Sequence, residues 1–568
     1  MRFMTTTLLA AAAVLGSAAP ALAHGGGYRG PGAKTPADPT APVGKPASTA
    51  DWEAWWAANA WRYVNLRERV RERDGGGGSA SGGGLGVTTG GEGLNPAPES
   101  TFDRRSYFEK EVLPVVTELL ADEDAEVRSA ATVALGKMGF PRSILDLRKS
   151  LRDEVRDVRD GAVLALGMIQ DGLAMEELRA RLLDPKEQDR TRSFAAVGLG
   201  LIGGEEAAGI LQGFLDPAAD ASRAGGLRRT DHLEASTLTA LGLSRRAAVA
   251  AALRRDYASA TRYPPAVRAF AAIALARLGD REAIPFLLQG LEHDREPMRQ
   301  SAAIALGVLG KPEDGAVVKA LVAGAQGDKD ANTRQFCIMA LSRIGGETAR
   351  ETVRRVLDKG SALDRPIAAL GAALPGDREA LPALRRLFRE EKTPDLKGAF
   401  GLALGLLRDE ESLPDLRKLA VGKVDRGLRI YCLLAIGLTD DKASGKAVRE
   451  VVETENDPAV KMAAATCLGL LQDPGTVPVL ERLAAEGDNV FVRSGALRLL
   501  GEVGSPLSSR LLARIARDPK DNSVVRMTAT GALGNLADRS VVPLLAQVSI
   551  DGNYASAVDP LVEIATIM

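Results

Sequence analysis

The sequence predicts an all-α fold: an α-solenoid superhelix of about thirteen short helical hairpins, preceded by a disordered N-terminal region. Three observations carry this prediction. A single motif, an apolar residue, a basic residue and then an Ala- and Leu-rich run closing on Leu-Gly, recurs from about residue 101 onward. Aromatic residues make up only 4% of the chain, which suits thin layers of close-packed helices better than a β-sandwich. Finally, 568 residues would suggest three or four globular domains, whereas a repeat array escapes that estimate because each unit packs only on its neighbours.

The basic residue of the motif fixes the repeats. Its positions are Arg128, Arg159, Arg192, Glu234, Arg268, Arg299, Arg334, Arg365, Lys397, Arg429, Lys461, Arg493 and Arg526. Successive anchors lie 31 to 35 residues apart, except for one step of 42. Seven residues after the anchor stands Leu or Ile in every repeat except one, where Ala372 takes the place. Eight after it stands Gly, or else Ala276, Ser342 or Ala373. Gly inside a helix costs about 1 kcal/mol relative to Ala, so a column that stays small predicts close approach of a neighbouring helix. A second Gly often follows three residues later (Gly139, Gly203, Gly279, Gly310, Gly345, Gly504), where a left-handed C-cap would end the helix. The preceding helix of each hairpin often begins near Pro, at Pro114, Pro285, Pro382, Pro414 and Pro478, because a first turn does not need the missing N–H. Turns with Asp four residues before the anchor, at Asp124, Asp330, Asp425 and Asp457, join the two helices.

Ahead of the repeats the chain changes character several times. Arg2, the apolar run Leu8–Ala19 and the small-x-small site Ala21-Leu22-Ala23 read as a cleaved secretory signal over residues 1–23, which predicts an extracytoplasmic protein, periplasmic or secreted. The run is too short to span a bilayer. Residues 24–50 are Pro- and Gly-rich and are expected to be disordered. Residues 51–74 hold all four tryptophans and predict one amphipathic helix, with Trp52, Trp56, Asn59, Tyr63, Leu66 and Val70 on a seam and Trp55 beside it. Residues 75–100 are a Gly-rich linker, and 101–568 form the solenoid. Val541–Val548 and Ala557–Met568 read as a terminal hairpin that caps the stack.

The segments Asp124–Gly136, Asp330–Ser342 and Asp457–Gly469 resemble the HEAT-repeat superfamily, in its short bacterial branch named after phycobilisome-lyase HEAT-like repeats. That resemblance implies a hydrogen-bonding ladder of turn Asp and anchor along the stack, over Asp124/Arg128, Asp330/Arg334, Asp425/Arg429 and Asp457/Lys461. Glu234 and Thr393 depart from the pattern and are expected to break it. The resemblance also brings in the lyases' chromophore handling and the nucleic-acid-binding modules of the same superfamily as alternative functions.

Candidate chemistry is sparse. Cys337, Cys432 and Cys467 fall in columns otherwise filled by Ala, which makes them small core residues. His24, His232 and His293 have no metal-ligand spacing, so no metal, cofactor or catalytic residue is assigned. Lys plus Arg number 73 against 74 for Asp plus Glu, which gives no overall field to draw in nucleic acid. The residues singled out for a protein or peptide partner are Trp52, Trp55, Trp56 and Tyr63, which either dock on the solenoid itself or recognise that partner. The step of 42 marks an insertion near Arg223, Arg228 and Arg229. The sequence therefore reads as an exported, non-enzymatic protein-binding scaffold.

Overall fold

The structure, a computed structural model of the chain, describes residues 52–60, 63–66, 103–216, 229–257, 263–293, 295–487, 489–538 and, near the C-terminus, 553, 555, 558–561 and 564. Regular structure among them is helical throughout. The predicted signal segment, the Pro/Gly-rich stretch and the Gly-rich linker lie outside the described residues.

An N-terminal helix, α1 (Trp52–Asn59), precedes thirteen anchor helices: α2 (Ala125–Met138), α3 (Arg156–Ile169), α4 (Asp189–Ile202), α5 (Asp231–Leu243), α6 (Pro265–Arg277), α7 (Glu296–Leu309), α8 (Ala331–Ile344), α9 (Asp364–Ala373), α10 (Pro394–Leu406), α11 (Arg426–Thr439), α12 (Pro458–Leu470), α13 (Val490–Val503) and α14 (Ser523–Ala537). The chain forms two compact units. One comprises Val115–Ile344 with Asp538–Met568, and the other Gly345–Ala537 with Asp51–Pro114. Within each, consecutive anchor helices pack side by side, α2 through α8 in the first and α9 through α14 in the second.

The small column explains how they pack. A methyl carbon placed on Gly136 would lie 2.8 Å from Ala165 Cα, and one on Gly405 would lie 2.6 Å from Ala435 Cα. The same holds at Gly307 against Ala340 and Gly501 against Ala532. The Gly eight residues after one anchor thus meets the small residue six after the next, backbone against backbone. Dispersion contacts along this seam offset the helix propensity that Gly forfeits.

The anchor arginine closes the hairpin. Arg192 Nε donates to the carbonyl of Leu182 at 3.0 Å, Arg493 Nε to Ala484 at 3.0 Å and Arg526 Nε to Ala516 at 3.2 Å. Each accepting carbonyl lies in the last turn of the preceding helix, where a cation suits the helix dipole. The ladder differs from the one implied by the family resemblance. Asp124, Asp330, Asp425 and Asp457 cap their own helices, accepting from Glu126 N, Thr333 N, Leu428 N and Ala459 N. The anchors reach instead to an acid in the following repeat's turn, five or six residues before its anchor: Arg128 to Asp153, Arg299 to Asp328, Arg429 to Glu455 and Arg493 to Asp521. The turn Asp meets a different group of the preceding repeat, Asp330 accepting from Gln300 Nε2 and Asp457 from Arg426 Nη1, while the acids just upstream stand opposite the anchors.

At Glu234 the expected break is mended from elsewhere. Arg229 Nη1 donates to the carbonyls of Phe214 and Leu215, taking the anchor's capping place, while Tyr257 donates its hydroxyl to Glu234 at 2.9 Å. At the other departure, Thr393 N donates to Glu391 and Lys397 Nζ donates to the Glu391 carbonyl at 3.2 Å, so that turn is held without Asp.

Two further expectations change in detail. Pro285, Pro382 and Pro414 occupy first turns, but Pro114 follows helical residues. A π-helical turn, Phe108–Val112, precedes it, with Leu113 N bonded to the Phe108 carbonyl, which accommodates the ring that a regular helix would reject. Gly139, Gly203, Gly279, Gly345 and Gly504 have positive φ, whereas Gly310 is extended. Val541–Val548 and most of Ala557–Met568 lie outside the described residues; of the C-terminal residues that are described, Asn553 Nδ2 donates to Gln300 Oε1 at 3.1 Å.

A second ladder of ion pairs runs along the first helices. Arg354, Arg385, Arg417 and Arg449 reach Asp377, Asp409, Asp441 and Asp473 at the start of the next hairpin. The Arg493 guanidinium holds the Asp521 carboxyl below its ordinary value, and Arg281 does the same for Asp314. At Asp409 burial pulls upward, but the Arg385 and Ser412 hydrogen bonds prevail and the value is lowered. A depressed carboxylate stabilises the fold fully above its unfolded value of about 4 and loses that stabilisation as pH falls through the folded value. The melting temperature is therefore expected to drop as pH is taken from about 5 to about 3. A constant or rising value over that interval would contradict the two ladders.

Candidate protein-binding surface

The tryptophan segment is shorter and more bent than its seam predicts. α1 ends at Asn59, whose side chain donates to the Trp55 carbonyl at 2.9 Å. Ala60 O then accepts from Tyr63 N and Val64 N, and the chain turns before Leu66. Asn competes with the helix by bonding locally. Trp61 and the residues from 67 to 74 lie outside the described residues, so the far end of the seam is not described.

The partner candidates are buried against the chain's own repeats. Trp52 is 4% exposed, Trp55 6% and Trp56 fully buried. The Trp52 ring lies 4.8 Å from that of Tyr431 on α11, at 55°. The Tyr431 hydroxyl donates to Glu53 Oε1 at 3.2 Å. Burial, together with the Glu53 carboxylate, pushes the Tyr431 hydroxyl well above its usual range, which keeps it a donor. Gly398 leaves room for the Tyr431 ring, since a methyl carbon there would sit 2.5 Å from Tyr431 Cδ2. Trp56 stacks on Tyr63 at 6.1 Å and 14°, so Tyr63 faces inward to its own segment.

Leu66 carries the most informative contact. It occupies the slot over Gly469, 2.9 Å from where a methyl carbon would be, a place filled in other repeats by the small residue of the next anchor helix. That column reads Ala, Gly or Cys throughout, except for Leu499 on α13. The outlier was visible in the sequence and marks the step at which the N-terminal segment takes a neighbour's place. Downstream, Arg104 Nη2 donates to the carbonyl of Gly504, and the Tyr107 hydroxyl is 2.7 Å from Ser509 Oγ, so the start of the repeats is tied to the same unit.

Two surface clefts differ in character. One, of about 400 Å³, is lined by Arg385, Arg386 and Arg389, but each of these faces carboxylates (Asp409, Asp358 and Glu411), so it offers no open anion site. The other, of about 340 Å³, lies between the helices Leu413–Val421 and Gly445–Thr454, with Leu433, Ile436, Val448 and Val451 in its lining and Arg417 beside them. Val421 on its edge is 57% exposed. Arg417 is paired with Asp441 and Ser444, so what the groove offers is its apolar lining, the chemistry of a helix or peptide site.

The reactive residue types are placed as their columns predict. Cys337, Cys432 and Cys467 are free thiols with no exposed surface. Burial pushes Cys432 up to about 12, and raises the other two as well. A thiol reagent is expected to label none of them in the folded protein and all three after denaturation; fast labelling under native conditions would refute their core placement. His232 is exposed, and His293 accepts from Arg295 N at its turn. No cluster of three potential metal ligands occurs among the described residues. No helix there is long and apolar enough to cross a membrane.

Paired helices stacked through a glycine seam, capped by buried arginines and tied by acid–arginine ladders, define an all-α hairpin-repeat protein. A family described as HEAT repeats matches residues 106–167, 230–307, 257–324 and 420–500. The chain belongs to the HEAT-repeat superfamily; these matches do not single out the phycobilisome-lyase branch. No curated protein sequence matches it. Among solved structures, human deoxyhypusine hydroxylase in complex with glycerol aligns at 22% identity over 47% of this chain and 96% of its own, with a TM-score of 0.22. Nothing about activity follows from a likeness of that size.

Proposed function

We propose that this chain is an exported, non-enzymatic scaffold that binds another protein through its HEAT-repeat surface. The apolar groove beside Val421 is the observation that carries this reading, because an apolar cleft between two helices with an exposed valine at its rim suits recognition of a helix or peptide. Two facts support it. Arginines and acids on the hairpin faces are paired with one another in the ladders, and the thiols are buried. Export rests on the N-terminal segment, with cleavage after Ala23.

Val421→Glu is the direct test, since it places a charge at the groove edge while leaving the core intact. A specific partner captured by the wild-type chain is expected to be lost with this variant, whose melting temperature should change little. Undiminished capture would remove the groove from the reading. For export, mass spectrometry of the protein from the extracytoplasmic fraction should find His24 as the first residue; an uncleaved cytoplasmic protein would overturn it.

A further inference from the structure

The N-terminal segment is seated as a ligand would be. It contributes one eight-residue helix and five further described residues. It buries Trp52, Trp55, Trp56, Val64 and Leu66, makes one side-chain hydrogen bond to α11, and replaces a helix–helix contact at Gly469. Around it, Leu499 departs from its repeat column, Gly398 clears space for the Tyr431 ring, and Gly469, the usual residue of its column, faces Leu66. An eight-residue helix is marginal in isolation, so docking, and not intrinsic propensity, sustains it.

We propose that this face is an exchangeable acceptor for a helix of another protein, and that residues 52–66 occupy it in cis as a tethered stand-in. The partner helix carries two aromatic residues one turn apart, as Trp52 and Trp56 are, with a carboxylate beside the first to accept from Tyr431 as Glu53 does. The linker of residues 75–100, Gly-rich in sequence, holds the segment near the face at an effective concentration on the order of millimolar. A second copy offers only the same segment without that advantage. A preformed, longer helix from a different protein loses less conformational freedom on docking and displaces the stand-in. This deepens the scaffold reading and rests on it, at a face distinct from the Val421 groove.

The full chain supplies its own reporter, because all four tryptophans lie between residues 52 and 61. The probe is a fluorescein-labelled peptide with the sequence of residues 51–66. It is expected to bind the Trp52→Ala/Trp56→Ala double variant at least about tenfold more tightly than wild type, whose face is filled. Gly469→Leu in the double variant should abolish that binding, and excess unlabelled peptide with Phe in place of its tryptophans should red-shift wild-type tryptophan emission. The double variant should keep the wild-type circular dichroism and a cooperative melt. Equal binding to both proteins, or none to a folded double variant, would overturn the proposal. Loss of the cooperative melt would make the segment an integral part of the repeat stack, and dimerisation of the double variant would give the face to a second copy; either outcome sinks the inference. If peptide exchange fails while partner capture still depends on Val421, only this inference falls and the scaffold reading stands.

Discussion

Gly167→Val is expected to abolish cooperative folding of the repeats around α3 and α4. The first atom of any side chain at 167 would lie 2.2 Å from Gly198 Cα and 2.8 Å from its carbonyl oxygen. Both neighbours are backbone, so no rotamer change relieves the clash and the two helices must separate. Valine would gain a little helix propensity over Gly, a few tenths of a kcal/mol, against an overpacking cost of about 3 kcal/mol or more. The seam continues in the flanking pairs, at Gly136 against Ala165 and Gly200 against Ala240, so separation also uncovers the apolar residues on both sides of it. Gly209→Ala is the control. It lies in a helix interior, is exposed and has nothing within 4 Å of a new methyl group, and is expected to stabilise by about 0.5–1 kcal/mol. Thermal melts of the two variants decide the matter. A wild-type melt for Gly167→Val would mean that α3 and α4 do not meet at this column.

Leu306→Ala and Leu468→Ala give the second large effect. Both side chains are fully buried, one on α7 and one on α12, in the column seven residues after the anchor. Each truncation leaves a cavity among helices already pinned by ladders, which limits how far the site can collapse. The cost is about 2–5 kcal/mol each, read as a lower denaturation midpoint with an unchanged dependence on denaturant. A loss of a few tenths of a kcal/mol at both positions would mean that the seven-residue offset does not identify the core.

Much of this architecture was legible before any coordinates. The anchors, the apolar position seven residues on and the glycine at eight recur often enough to fix the helix register, and the column identities placed the three cysteines in the core. The same periodicity held more than it yielded at first reading. Arg385, Arg417 and Arg449 lie 12 residues before their anchors, and Asp409, Asp441 and Asp473 lie 12 after the preceding alignment points. Their pairing spans 24 residues in sequence and emerges only when neighbouring hairpins are set side by side. Leu499 likewise stood out of its column, but its meaning depended on seeing Leu66 over Gly469.

What the sequence determined by itself is local and periodic: helices, caps, the small seam and the burial of each repeat's apolar face. These follow from backbone propensities and contacts between units whose spacing in sequence is constant. Tertiary structure alone decided which acid each anchor arginine meets, how Arg229 replaces the missing arginine at Glu234, and where the tryptophan segment goes. Those outcomes depend on which carboxylate stands opposite each guanidinium once neighbouring hairpins pack, and on contacts such as Trp52 with Tyr431 and Leu66 with Gly469, hundreds of residues apart. No helical period encodes them.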